Sequence, residues 1–349
     1  MSGGRTRIAV LTSILVVLGG TGCTSDDASG EAATDNTAAE TQGAGQPQSG
    51  YPITIESTLG TAEIPAAPER VVTIGQGSAD TAVALGVVPV GVEADPWGGD
   101  EDGYQPWLRA TIEAAGDELP VAFAGQPELD IDAVVALEPD LILAPQSGIP
   151  QADFDILNEL APTVAYPGQA WSTPWDTQIE LIGQALDRAD DAAALIEDIN
   201  GEFTQAAAEH PEFEDITFAY IYTGEPGSLG VFQADEPRSA FISGLGLTID
   251  PAIAEQPMTE GTASSVLGLE NADLFDETDV VFSWFNDENQ QAEIEAQPLY
   301  AQIPAVERGS YVVSYDRQFV TATSLLTPLS VPWVIDRYAA YIEEAVSKL

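Results

Sequence analysis

From residue 70 onward the apolar positions fall in short unbroken runs separated by stretches with helical spacing. RVVTI at 70–74, VVPVGV at 87–92, LILA at 141–144 and TVAY at 163–166 lack a polar alternation, as expected of strands covered by helices on both faces of a sheet. Between them, ADTAVAL follows Ser78 as an N-cap and ends at Gly86, and DIDAVVALEPD occupies 130–140; both show the three-and-four spacing of helices. The alternation predicts an α/β lobe over 51–170 built on a mainly parallel sheet flanked by helices.

Residues 173–209 carry the longest helical pattern, with Ile179, Ile182, Leu186, Ala189, Ala193, Ile196, Ile199 and Phe203 three or four apart. Thr173 is placed to cap, Pro174 suits the first helical position, Asp176 meets the positive end of the dipole, and Pro211 forbids continuation. A single helix here would run about 55 Å, with Gly201 as its weak point. The segment 171–210 is therefore the expected connector. ITFAYIY at 216–222, RSAFISGLGL at 238–247, DVVFSW at 279–284, YVV at 311–313 and a closing helix through Trp333 to Val346 then resume the alternation. They predict a second α/β lobe over 211–349.

One passage recurs. IDAVVALEPDLIL from Ile131 and LENADLFDETDVVF from Leu269 each place a carboxylate, Asp132 or Glu270, at the start of a helical segment. An aspartate, Asp140 or Asp279, follows just before an apolar strand. Helix-dipole complementation accounts for the first pair of acids at about 0.3–1 kcal/mol each, but not for their matched places in two lobes.

The amino end is different in kind. Arg5 and Arg7 precede an apolar run from Ile8 to Leu18 and then Gly-Gly-Thr-Gly-Cys, which reads as a secretory leader over 1–22, too short to span a bilayer. Cys23 is the only cysteine and stands where bacterial lipoproteins carry their thioether lipid, although Gly20 occupies the position where the processing box usually has Leu. Residues 24–50 contain no aromatic and no long aliphatic side chain, so 23–50 is expected to be a flexible tether. The protein is thus expected outside the cytoplasm, held on the outer face of the cytoplasmic membrane by lipid at Cys23.

Charge narrows the function. Ten basic residues stand against 57 acidic ones, a formal charge of -47, which excludes a nucleic-acid reader, since phosphate binding needs a basic face. The single histidine, His210, leaves no multi-histidine metal set and places a Ser/His/Asp triad at a helix end. There is no Gly-x-Ser-x-Gly elbow. No catalytic residue, metal site or cofactor is expected, with an exported hydrolase as the remote alternative.

PERVVTI at 68, DTAVALGVVPVGV at 80, DIDAVVALEPDLILA at 130, LNELAPTVAYP at 157, RSAFISGLGL at 238, LGLENADLFDETDVVFSW at 267 and LYAQIPAVERGSYVV at 299 together resemble the substrate-binding lipoproteins of ferric siderophore ABC importers. That group also includes cobalamin and heme binders, which stay open as alternative ligands. The resemblance implies two α/β lobes joined by one rigid helix, a ligand held in the crevice between them, and a monomer. It further implies that Asp132 and Glu270, one on each lobe, dock onto a permease dimer, the shorter Asp standing where many relatives have Glu.

Aromatic residues stand where strands hand over to loops: Trp97, Tyr104, Trp171, Tyr222, Trp284 and Phe285. Core packing is the ordinary role of each, but strand-end loops favour a crevice wall, with an open groove between Trp97 and Trp284. Trp175, one turn into the helix, is expected to pack. Arg238 opens a helix after the loop GSLGVFQADEP, at a place where siderophore binders often carry a cleft arginine, and Arg317 follows a strand beside Asp316. Their fork-shaped donors suit chelate oxygens. Arg238 is favoured for the ligand, whereas a salt bridge to Asp316 competes for Arg317. Arg70 reads as a fold element. A ferric hydroxamate or mixed-ligand complex is favoured over a tricatecholate because the acidic body repels the latter.

Overall fold

The computed structural model describes residues 50–224, 226–259 and 264–349. The leader, Cys23 and nearly all of the tether lie outside them. The first lobe contains β1 (Ile53–Glu56), β2 (Thr61–Ile64), β3 (Val71–Thr73), α1 (Ser78–Ala84), β4 (Gly91–Glu93) and α2 (Pro106–Ala115). It continues through β5 (Val121–Phe123), α3 (Ile131–Ala136), β6 (Leu141–Leu143), α4 (Gln151–Leu160) and β7 (Thr163–Val164). β1 and β2 form an antiparallel pair, and the remaining five strands make a parallel sheet in the order β5-β4-β3-β6-β7. Every residue of β3 and β6 is buried, which is why these strands read as unbroken apolar runs. VVPVGV yields only its last two residues as strand, β4 beginning at Gly91, although the Val90 amide already donates to the Val71 carbonyl at 2.8 Å.

The expected 55 Å helix is two helices, α5 (Trp175–Ala185) and α6 (Ala189–Glu209). The chain reverses at Asp187, whose φ of 55° is left-handed, and the amide of Arg188 donates to the Gly183 carbonyl at 2.7 Å. A Cβ on Gly183 would come 2.2 Å from the Cβ of Ala192, so glycine there permits the close crossing. The break falls at this point and not at Gly201, and α6 is about 31 Å long. Asp190 and Asp191 in its first turn are the start signal, hidden because the apolar spacing continues across the reversal. The start of α5 is also displaced: Pro174 is its flanking residue, and the Thr173 hydroxyl donates to the Pro145 carbonyl at 2.5 Å instead of capping.

The second lobe holds β8 (Thr217–Tyr222), β9 (Ser228–Phe232), α7 (Pro237–Gly244), β10 (Thr248–Ile249), α8 (Pro251–Ala254) and β11 (Ser264–Gly268). β12 (Val280–Trp284), α9 (Glu288–Glu295), α10 (Pro298–Ala301), α11 (Pro304–Arg308), β13 (Tyr311–Ser314), α12 (Arg317–Ser324) and α13 (Ser330–Val346) complete it. Its sheet runs β11-β9-β8-β12-β13, with β10 also on β8. The pairs made by β10, β8, β12 and β13 are parallel, but β9 and β11 run antiparallel, so this sheet is mixed and the expected loop GSLGVFQADEP contains a strand.

The repeated motif has a structural meaning. Asp140 accepts the amides of Glu69 and Arg70, both at 2.8 Å, and Asp279 accepts the amide and hydroxyl of Thr217, both at 2.9 Å. Each aspartate thereby joins the amino ends of two neighbouring parallel strands. Arg70 donates to the carbonyls of Leu137 and Glu138, and Arg308 to those of Thr278 and Asp279, so each lobe also closes its turn with a guanidinium. One apolar core runs from Val71 and Trp107 through Ile182 and Phe203 to Phe282 and Tyr338, joining both lobes through α5, α6 and α13.

Candidate ligand-binding cleft

Loops at the carboxyl edge of a parallel sheet gather ligands in α/β folds, and here the edges of both sheets contribute to one junction. The chain leaves β4 through Asp95 to Trp97. The Asp95 carboxylate accepts the amides of Trp97 and Gly98 at 2.8 and 2.9 Å and the side-chain amide of Gln105 at 2.7 Å, which fixes that loop. From the second lobe come Trp284 at the end of β12, Asn286 just beyond, and Arg317 at the start of α12. Trp97 and Trp284 meet edge to face, with centroids 5.5 Å apart and planes at 76°. The Trp97 indole N–H donates to Asn286 Oδ1 at 3.3 Å, and the Arg317 guanidinium carbon lies 5.7 Å from the Trp97 ring centroid. The two indoles expected to face each other across an open groove therefore close on each other. Gly98 completes the contact, since a Cβ there would strike Thr321 of α12.

The open space lies on the first-lobe side of this contact. A small recess of about 80 Å³ is lined by Gly75, Asp95, Gln105, Trp171 and Leu325 among others. Beside it a wider recess of about 530 Å³ is bounded by Glu93, Glu128, Leu129, Ile131, Asp153 and Trp171, among others. Trp171 borders both. It is 48% exposed, has a left-handed φ of 60°, and its amide donates to the Ser147 carbonyl at 3.0 Å. Its indole lies against Gly148, where a Cβ would come 2.0 Å from the ring nitrogen. Burial pushes the Glu93 carboxyl up, the Gly75 amide pulls it back, and Asp95 raises it further.

Other expected wall residues occupy different places. Phe285 is fully buried in the second-lobe core with Phe275 and Tyr300, so it presents no surface to a ligand. Tyr104 is 8% exposed; its hydroxyl donates to the Pro120 carbonyl at 2.5 Å and its ring lies under Arg109, leaving only an edge at the small recess. Tyr222 lies across Gly230, stacks on Phe232 with centroids 4.7 Å apart, and its hydroxyl is 2.7 Å from that of Ser264. Trp175 packs against the main core.

The two arginines occupy different surroundings. Arg238 pairs with Glu236, a carboxylate only 6% exposed, and lies over the Phe232 ring. Asp316 pairs with Arg337 at 2.6 Å, not with Arg317. Arg317 is exposed and in no ion pair among the described residues. His210 stays far from this chemistry in role: it caps α6 and its Nδ1 sits 3.2 Å from Glu212. Asp132 and Glu270 are both exposed, each in the first turn of its segment, α3 and the 3-10 turn Leu269–Phe275. The residues missed by sequence reasoning are Asp95, Gln105, Glu93, Glu128 and Asp153. Glu93 and Asp95 could have been found as polar residues directly after an apolar strand.

The chain is similar to several known proteins. The probable siderophore-binding lipoprotein YfiY of Bacillus subtilis is 29% identical over 148 residues, which cover 42% of each chain. The achromobactin-binding periplasmic protein of Dickeya dadantii is 28% identical over 250 residues, 69% of this chain and 76% of that one. The crystal structure of PiaA from Streptococcus pneumoniae in complex with ferrichrome superposes with a TM-score of 0.77 at 26% identity, covering 85% of this chain and 99% of that one. The family model described as periplasmic binding protein matches residues 71–317, from β3 to the first residue of α12. With both sheets and the paired connecting helices inside that span, the chain belongs to the periplasmic binding protein family.

Proposed function

We propose that this protein is the solute-binding component of an ABC importer, capturing a ferric siderophore complex between its lobes and delivering it to a membrane permease. The observation that carries this reading is the convergence of Trp97, Trp284 and Arg317, the last in no ion pair among the described residues, where the carboxyl edges of both sheets meet. Relatives named for siderophores, and a neighbour whose structure holds ferrichrome, support it. The chelator supplies the iron's own ligands, so the protein need only offer aromatic faces to the organic shell and a fork of donors to its oxygens. No bond is made or broken. Trp97, Trp171, Trp284 and Arg317 form the contact surface. Exposed Asp132 and Glu270 dock the lobes onto the two permease copies, where charge pairs set register and association rate. The chain acts as a monomer tethered by lipid on Cys23.

Titration with ferric chelates, followed by tryptophan fluorescence, tests the binding. Saturable quenching is expected, and it should shrink in the Trp97→Phe/Trp284→Phe variant. Absence of quenching by hydroxamates, catecholates, citrate, heme and cobalamin alike would end the reading. Asp132→Ala combined with Glu270→Ala should abolish uptake while binding persists; normal uptake would remove the docking assignment.

A further inference from the structure

The wider recess beside Trp171 has two kinds of wall. Its lining includes the apolar Ile74, Leu129 and Ile131 and the carboxylates of Glu93, Glu128 and Asp153. None of these three carboxylates is in an ion pair among the described residues, and none of the described arginines lines the recess. Across the Trp97–Trp284 contact, the second lobe offers the opposite sign in Arg317. The first-lobe recess is therefore acidic, and the second lobe contributes the guanidinium of Arg317 beside Trp97.

Resting on the siderophore-binding reading above, we infer that the recess bounded by Glu93, Glu128, Asp153 and Trp171 takes an alkylammonium arm of the ferric complex, so that the preferred ligand carries a free amine and no net negative charge. The apolar lining receives the methylene stem, the half-exposed indole of Trp171 offers a π face to the cation, and the carboxylates supply charge-assisted acceptors. A ferric trihydroxamate meets the charge requirement, because three singly charged ligands neutralise Fe(III) and a terminal ammonium adds one positive charge. A ferric tricatecholate, with three negative charges, meets three carboxylates that are in no ion pair among the described residues and a body of charge -47. Arg317 remains for the chelate oxygens.

The test is calorimetric titration of the full chain with a linear ferric trihydroxamate bearing a free terminal amine and with its N-acetyl derivative. The amine form should bind at least tenfold more tightly. In Glu128→Gln/Asp153→Asn the preference should narrow to within twofold, whereas Glu197→Gln/Glu202→Gln, which removes the same charge from exposed positions on α6, should keep it. Equal affinities in the wild-type protein, or equal narrowing by both double variants, would overturn the assignment. Tighter binding of a tricatecholate or citrate complex would overturn it while leaving the siderophore reading intact, and failure of every ferric chelate to bind would remove both.

Discussion

Asp80 accepts the hydroxyl of Thr327 at 2.5 Å and the indole N–H of Trp107 at 2.7 Å, so one carboxylate, 2% exposed, ties α1 to α2 and to the loop ahead of α13. Trp107 in turn meets Trp333 of α13, with ring centroids 5.2 Å apart. The lobes are thus held by a polar tie in their shared core and by an aromatic pair at the cleft.

Burial pushes the Asp80 carboxyl up to about 6, against the pull of Thr327 and Trp107. An unfolded aspartate titrates near ~3.9, so between about pH 4 and 6 the folded protein keeps a proton that the unfolded chain has released. The resulting stability is fully present below pH ~4 and lost as pH rises through about 6. Asp80→Asn removes this term. The wild-type protein should therefore gain on the order of 3 kcal/mol relative to Asp80→Asn between pH 7 and pH 4, measured by urea unfolding at each pH. A constant difference across that interval would show that the carboxyl is unperturbed.

Arg317 and Arg238 should separate binding from stability. Arg317→Gln removes an exposed guanidinium with no ion-pair partner among the described residues, so the melting curve should stay within ~0.5 kcal/mol of wild type while affinity for a ferric trihydroxamate falls about tenfold, the loss of one charged hydrogen bond. Arg238→Gln strands Glu236, whose carboxyl is already raised by burial despite the opposing guanidinium. Breaking one side of a buried pair costs about 3–5 kcal/mol, and the partial exposure of Arg238 puts this pair at the lower end. A binding defect in Arg238→Gln with an unchanged melt would reverse the two roles.

Asp140 and Asp279 make equivalent ties in separate lobes, each to two donors at the start of a neighbouring strand. Asp140→Ala and Asp279→Ala should each destabilise by about 1–3 kcal/mol. Because the sites share no partner, the double variant should show the sum within ~0.5 kcal/mol. Urea denaturation of the three variants decides it, and a silent Asp279→Ala would mean that the repeated motif has no common purpose.

The recurrence of these aspartates was visible along the chain because strand starts are fixed by local sequence, and the parallel first-lobe sheet was visible because its strands are apolar on both faces. The antiparallel β9 and β11 were not: SLGVF holds two small residues among its five, and its pairing with β11 depends on a partner more than 30 residues away. At the cleft, the position of Trp97 and Trp284 at strand ends was legible, but their mutual contact depends on the approach of two lobes. The surroundings of Arg238 and Arg317 were not legible in sequence, since each follows an acid within two positions, Glu236 or Asp316, and only packing decides which arginine each acid meets.

The α5–α6 reversal was hidden by the same limitation, and Gly183 offers its sharpest test. On intrinsic propensity Gly183→Ala should stabilise a helix interior by about 1 kcal/mol. In the folded chain the new methyl would sit 2.2 Å from Ala192 Cβ and 3.1 Å from the Arg188 carbonyl oxygen, a side chain with no rotamer to retreat into and a backbone atom, so the two helices must separate. Overpacking of this kind costs about 1–3 kcal/mol, which outweighs the propensity gain. Gly183→Ala is therefore expected to lower the melting temperature, and Gly201→Ala, at an exposed position on α6 where a Cβ meets nothing within 4 Å, to raise it. If both substitutions stabilised, α5 and α6 would not cross as closely as described, and a single continuous helix would again account for the pattern from Ile179 to Phe203.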